Sequence, residues 1–360
     1  MDQNSALKSL SEGWMKALAS FQTLGTQGGA AAPQLSFSPD KLEALQKQYM
    51  TAATELWNQS LHGAPVVKDR RFSGDAWAQN PVAAFAAAAY MLNTRTLMGL
   101  TDAAETDAKT KARIQFAVEQ WAAATAPSNF LALNADAQKK AIDTKGESIS
   151  KGIQNLLHDM QQGHVSMTDE SLFEVGKNVA TTEGKVVFEN DFFQLLEYKP
   201  LTAKVYERPF LFVPPCINKF YILDLQPENS FIRYAVAQGH RTFVVSWRNP
   251  DESMRNTTWD NYVEDVAIQA IKVVQEIGGS KQINALGFCV GGTILSSALA
   301  VLAARGEKPV ASATLLTTLI DFTDTGILDV FIDEGFVKYR EGQFANGGLM
   351  KGKDMASTFS

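Results

Sequence analysis

Cys289 stands in the run Gly287-Phe288-Cys289-Val290-Gly291. An apolar, strand-patterned stretch (282–288) precedes it and an Ala/Leu-rich, helix-patterned stretch (290–305) follows. A strand that turns at once into a helix strains the residue at the bend and lifts its side chain off the sheet. Side chains two positions to either side would collide, and Gly287 and Gly291 meet that need, with Gly292 adding room. The start of the helix points its positive end at the sulfur, which favours thiolate over thiol. The Val290 backbone N–H then lies where an oxyanion would form. The chemistry this suits is attack on an acyl carbonyl, giving an acyl-cysteine. The competing reading is a buried structural cysteine in a glycine-rich turn. Phosphate binding fits less well, because the glycine spacing is not GxGxxG and no P-loop lysine is present.

A second run, Phe212-Val213-Pro214-Pro215-Cys216-Ile217-Asn218-Lys219, leaves an earlier strand. Its prolines stiffen the loop and remove donors, so Cys216 and Ile217 carry its first free N–H groups. Ile217 is the candidate second oxyanion donor. Cys216 reads as a packing residue or as a second reactive thiol. A nucleophile at such a bend works with an acid and then a histidine further along the chain. The four histidines, His62, His158, His164 and His240, all precede Cys289. The sequence therefore predicts a nucleophile without its base, and negligible turnover by these 360 residues alone. His240 reads as structural. The segment Trp247-Arg248-Asn249-Pro250-Asp251 leaves a strand at the edge where α/β sites lie, and fits a substrate entrance or a plain turn. Asp321 and Asp324 read as caps or solvated loop residues, and Asp224 and Ser230 as local capping or solvent-facing groups.

Two kinds of region position these residues. Leu7, Leu10, Trp14 and Leu18 fit one amphipathic helix, and Gly25 to Pro33 fits a flexible connection. Helical periodicity continues from Ser38 to about Gln162, with Pro127, Asn134 and Gly146 as plausible helix ends. After Gly163 the pattern changes. Runs 185–190 and 192–198 read as a strand pair, and 210–213, 241–247, 282–288 and 311–318 as further strands. Helical patterns between them start at Asn229, Thr258 and Val290 and stop at Gly239, Gly278 and Gly306. Such alternation predicts a mainly parallel sheet with helices on both faces. The alternation ends after Thr318, so the sheet reads as incomplete at its C-terminal edge. The expected division is a helical domain over 1–165 and a partial α/β domain over 166–360, with a cap region starting near 321.

Composition excludes several alternatives. A net charge of −6 argues against broad binding of nucleic acid or anionic membrane. Two cysteines in 360 residues are no disulfide framework and suit a reducing compartment. The most apolar stretch, Pro81 to Leu100, is mostly alanine and is interrupted by Asn93 and Arg95, so a membrane span is not expected. No spacing of metal ligands appears, and neither metal nor cofactor is expected.

At these residues the sequence resembles the class I polyhydroxyalkanoate synthases. The likeness rests on Asp69-Arg70-Arg71-Phe72, Thr168-Asp169-Glu170-Ser171, Thr182-Glu183-Gly184, Val213 to Leu225, Ser246 to Asp251, Gly287 to Gly292, Leu315 to Phe322 and Asp324 to Phe331. It implies an α/β-hydrolase-like catalytic fold with Cys289 as nucleophile and the Val290 and Ile217 N–H groups as oxyanion donors. It further implies transfer of (R)-3-hydroxyacyl groups, 3-hydroxybutyryl above all, from coenzyme A thioesters into a growing polyester, with coenzyme A as part of the substrate rather than a cofactor. A homodimer is implied, with cytoplasmic placement at the granule surface and possible granule-associated protein partners. The family's aspartate and histidine have no counterpart before Ser360, and most of its cap region is missing. Two further readings stay open at this point: a cysteine-elbow thioesterase or polyester hydrolase, and a non-catalytic granule-surface protein working through the helical domain.

Overall fold

The computed structural model describes residues 36–345, 347–350 and 352. The expected first helix and the Gly25–Pro33 connection lie outside the described residues. The chain divides into two compact units, 1–163 with 326–339, and 164–325 with 340–360. The expected α/β domain ran unbroken to 360, but residues 326–339 belong to the helical unit. In that unit Lys109 pairs with Asp329 at 2.9 Å, Arg113 donates to the Ile332 carbonyl at 3.0 Å, and the Phe116 and Phe331 rings meet edge to face. The mixture of apolar and acidic residues after Asp321 hid this, because their partners lie over 200 positions away.

The helical unit consists of α1 (Pro39–His62), α2 (Asp75–Gln79), α3 (Pro81–Ala103), α4 (Ala108–Ala124), α5 (Ala135–Asp143) and α6 (Glu147–Gln162). Side chains that accept from otherwise unpaired amides set several starts. Asn80 accepts from the Val82 and Ala83 N–H groups at 3.1 Å, Asp107 from Thr110 and Asn134 from Ala137, the last two at 2.9 Å. Pro81 occupies the first position of α3, where a missing N–H costs nothing. Phe72, Trp77, Ala83, Ala87 and Ala135 form its core, with Tyr90 and Met91 packed against them. No described helix is long and apolar enough to cross a membrane.

The second unit is built on six strands: β1 (Gly184–Glu189), β2 (Phe193–Tyr198), β3 (Phe210–Val213), β4 (Thr242–Trp247), β5 (Ile283–Phe288) and β6 (Val310–Leu316). Their order across the sheet is β1-β2-β4-β3-β5-β6. The pairs β1–β2 and β2–β4 are antiparallel, and β4–β3, β3–β5 and β5–β6 are parallel. Three helical segments connect the parallel strands: α7 (Phe231–Ala237), a composite α8 and α9 (Val290–Ala304). Helix α8 runs through Trp259–Asn261, the π-helical Tyr262–Ile268 and Gln269–Gly278. Glycines at positive φ end these segments: Gly239 at 86°, Gly279 at 62° and Gly306 at 77°. The period of two along each strand sends residues to opposite faces. Leu211, Val213, Phe243, Val245 and Ala285 pack against α8 and α9, whereas Phe212, Val244 and Leu286 pack against α7. Each fully buried Leu or Phe contributes about 1.5–3 kcal/mol, and this double-sided core fixes the ends of β3, β4 and β5, where the candidate site lies.

Candidate active site

Cys289 is the single residue between β5 and α9, at φ 52° and ψ −129°. A non-glycine residue there costs on the order of 1–3 kcal/mol and persists only where its surroundings over-determine it. They do so here. The Cys289 N–H donates to the Leu316 carbonyl at 2.9 Å, and the Cys289 carbonyl accepts from Gly292 at 2.9 Å and Thr293 at 3.3 Å. The Thr293 hydroxyl reaches on to the Leu319 carbonyl at 2.7 Å. Strand β6 and its exit loop thus clamp the bend from one side.

The glycines are required by close approach. A Cβ on Gly287 would lie 2.3 Å from the Gly292 Cα, and one on Gly291 would lie 2.2 Å from the Val213 carbonyl oxygen and 2.4 Å from that of Pro214. A Cβ on Gly292 would strike the Thr318 side chain at 2.0 Å. The clash expected at Gly287 is thus with the helix backbone, and the clash at Gly291 is with the neighbouring loop. Only glycine lets α9 start this close to the ends of β3 and β5.

The Cys289 side chain is half-buried rather than sealed in the core. Among the described residues nothing hydrogen-bonds its sulfur. It sits at the N-cap of the fifteen-residue α9, so the positive end of the helix faces it. No backbone carbonyl among the described residues accepts the Val290 or Gly291 N–H; Val290 is half-buried and Gly291 buried.

The loop leaving β3 is a neighbour by register, because Val213 pairs with Gly287. Pro214 and Pro215 are buried, and Trp247 Nε1 donates to the Pro214 carbonyl at 2.8 Å. Asn218 N–H closes a turn onto the Pro215 carbonyl at 3.2 Å. Ile217 is 60% exposed, and no described carbonyl accepts its N–H. Cys216 packs against the core beside Tyr262, whose ring lies 5.5 Å from that of Trp247. Burial pushes the Cys216 thiol up; its own backbone N–H pulls the other way, and the nearby Cys289 adds to the rise. The two cysteines of the chain therefore share one electrostatic neighbourhood. The sequence places Tyr262 on the inner face of a helix, with Val266, Ala270, Val274 and Ile277, and not at the site. Its ring comes to Trp247 from the π-helical turn, whose buried residues Val263, Val266 and Ala267 still fall at α-like steps.

His240 precedes β4, at the edge of the sheet opposite Cys289. Its ring lies between Tyr206 and Phe210, and Nδ1 is buried without a partner. In the strand-exit loop, Arg248 pairs with Asp251 at 2.8 Å and Lys219 reaches Asn249 at 3.3 Å. Hydrogen bonds from Ser253, and then Arg248, hold the Asp251 carboxyl down at about 2. Asp321 accepts from the Thr323 N–H at 2.9 Å and from its hydroxyl, a local turn that fits the capping reading. Ser230 caps α7 by accepting from Arg233 at 2.8 Å. Asp224 departs from the expectation of a solvent-facing group: it is 1% exposed.

Residues 68–235 match the family described as the N-terminus of poly-beta-hydroxybutyrate polymerase, PhaC. Residues 209–354 match the alpha/beta hydrolase fold. Over 345 residues the chain is 55% identical to the Poly(3-hydroxyalkanoate) polymerase subunit PhaC of Cupriavidus necator, a match covering 93% of this chain and 59% of that one. The chain is similar to the poly(3-hydroxyalkanoate) polymerases over most of its own length. The subunit PhaC of Rhizobium meliloti is 39% identical over 297 residues, covering 81% of this chain and 49% of that one. The polymerase of Methylorubrum extorquens is 38% identical over 337 residues, covering 89% and 56%. The chain thus spans roughly half to three-fifths of the length of these relatives. Its sheet has the α/β-hydrolase form, and its strand-to-helix bend holds cysteine.

Proposed function

We propose that this chain carries the acyl-accepting half of a poly(3-hydroxyalkanoate) polymerase, with Cys289 as nucleophile. The observation that carries the reading is the strained Cys289 at the N-terminus of α9, half-buried, with the unpaired Val290 N–H beside it. The Cys289 thiolate attacks the thioester carbonyl of an (R)-3-hydroxyacyl-coenzyme A, with 3-hydroxybutyryl the first choice. The carbonyl electrons move onto oxygen, where the Val290 and Ile217 N–H groups stabilise them. Collapse expels the coenzyme A thiolate and leaves acyl-cysteine. One thioester replaces another, so the step is near balance and the acyl group stays activated for attack by a hydroxyl.

That second attack needs a base, because an alcohol is a poor nucleophile near neutral pH. Among the described residues no histidine or carboxylate hydrogen-bonds Cys289, and His240 sits at the far edge of the sheet. These residues are therefore set up for acylation without sustained polymerisation. Homodimerisation, cytoplasmic placement at a granule surface and contact with granule proteins belong to the same proposal. The test is incubation with 3-hydroxybutyryl-coenzyme A, followed by intact mass and coenzyme A release. The expected result is one hydroxyacyl adduct on Cys289, close to one equivalent of coenzyme A, and neither in Cys289→Ala. Steady release from the Cys289→Ala chain would overturn the assignment of the nucleophile; rapid multiple turnover to free acid would favour a thioesterase instead.

A further inference from the structure

Asp224 lies in the connection between β3 and α7 and is 1% exposed. Its carboxylate accepts from the Thr182 hydroxyl at 2.7 Å, the Ser230 hydroxyl at 2.6 Å and the Thr182 N–H at 3.4 Å. No cation among the described residues pairs with it. Its backbone is fixed as well. The Asp224 N–H donates to the Tyr221 carbonyl and its carbonyl accepts from Ala180, both at 2.9 Å, while Asp224 and Ser230 form an antiparallel bridge. Ala180, held by that bond, adopts φ 56°. The negative charge also helps burial keep the Tyr198 hydroxyl protonated well above the usual tyrosine range.

A buried carboxylate without a counter-charge is expensive unless hydrogen bonds satisfy it. Any shift of the chain that removes a donor leaves the charge unpaired, so such a group is a stiff anchor. It anchors the far end of the loop leaving β3. The near end is anchored by the Trp247–Pro214 hydrogen bond and by the approach of Gly291 to Val213 and Pro214. Between the two anchors, Ile217, Asn218 and Lys219 are exposed and Cys216 is half-buried. Cys216 packs on the core on one side, and Phe220 and Leu223 pack on its α7 face on the other, so the exposed stretch Ile217–Lys219 hangs between them and its own side chains do little to hold the Ile217 N–H in place.

We infer that Asp224 is a positioning residue for acyl transfer at Cys289: its buried, hydroxyl-held carboxylate fixes the loop whose amide faces the developing oxyanion. The inference rests on the acyl-cysteine reading above. It has a consequence that a purely structural role lacks. Attack on a thioester puts negative charge on the carbonyl oxygen before coenzyme A leaves. Alkylation of the same sulfur by iodoacetamide forms the S–C bond as iodide departs, and no oxyanion appears. Loop position therefore affects the first reaction and not the second.

The experiment measures single-turnover acylation of Cys289 by 3-hydroxybutyryl-coenzyme A and its alkylation by iodoacetamide, with peptide mapping to separate Cys289 from Cys216. Three chains are compared: the unaltered one, Asp224→Asn and Thr182→Val. Acylation is expected to slow about 10- to 100-fold in Asp224→Asn, short of the roughly 100- to 1,000-fold loss when an oxyanion donor is removed outright, and by a smaller factor in Thr182→Val. Alkylation is expected to stay within about twofold in both. Unchanged acylation in both variants overturns the inference, and so does an equal fall of both reactions. If Asp224→Asn does not fold, Thr182→Val decides by the same criterion. An unaltered chain that alkylates normally but never acylates overturns the acyl-cysteine reading itself, a result distinct from failure of the positioning role.

Discussion

At the scale of single residues, the bend around Cys289 leaves almost no freedom of substitution. The carbonyl oxygens that a Gly291 Cβ would strike belong to backbone, at 2.2 Å and 2.4 Å, so no side-chain rotation relieves the collision. Gly291→Ala is therefore expected to destabilise the α/β unit by about 3 kcal/mol or more, the upper range for overpacking, read as a lower urea midpoint. Gly292 differs in kind, because the atom in its way is the Thr318 side chain, which can turn aside. The strain at Cys289 costs stability and gives exposure: a relaxed helical residue at this place would lie back on α9 instead of standing at its N-cap. Cys216, by contrast, is a thiol whose burial favours the protonated, less nucleophilic form.

At the scale of elements, helix starts and strand registers do the positioning. Asn134 shows how much one start matters. Its side-chain oxygen accepts from the Ala137 N–H at 2.9 Å and its amide donates to the Ser128 carbonyl at 2.6 Å. Asn134→Ala should cost about 1–2 kcal/mol, seen as a lower melting temperature of the helical unit. In the α/β unit, α8 and α9 are joined by a two-point contact of Arg305 with Glu264 at 2.9 Å and 2.7 Å. Both side chains are over two-fifths exposed, so solvent screening leaves the pair little net weight. Apolar packing of Ile294, Leu295, Ala298 and Leu302 holds α9 against the sheet instead. The parallel pairing of β3 with β5 then sets which loop faces the bend, through the Val213–Gly287 register.

At the scale of the whole molecule, two compact units share the chain, and the segment 326–339 returns to the first after the sheet of the second is laid down. One edge of that sheet is β6, which pairs on one side only among the described residues. Residues 311–315 are exposed and carry no charge or proline, the features that usually blunt an edge against self-association. Ala313→Lys is expected to reduce concentration-dependent light scattering without lowering the melting temperature. Equal scattering from both chains would show that the edge is not the adhesive surface.

The sequence by itself determined the residues of the bend and the alternation that surrounds it. Gly287, Cys289 and Gly291 lie within five residues, and strand and helix periods are local properties, so both are legible without a structure. The exception within local reach was the π-helical turn at Tyr262–Ile268, because its buried residues and those that follow (Val263, Val266, Ala267, Ala270, Val274) recur at the three- and four-residue steps of an α-helix. Only the tertiary structure decided the strand order, the burial of Asp224 against Thr182, the clamp of Leu316 on Cys289 and the return of 326–339 to the helical unit. Each of these joins residues far apart in the chain. Burial and hydrogen-bond partners are properties of such meetings, and a spacing pattern carries no record of them.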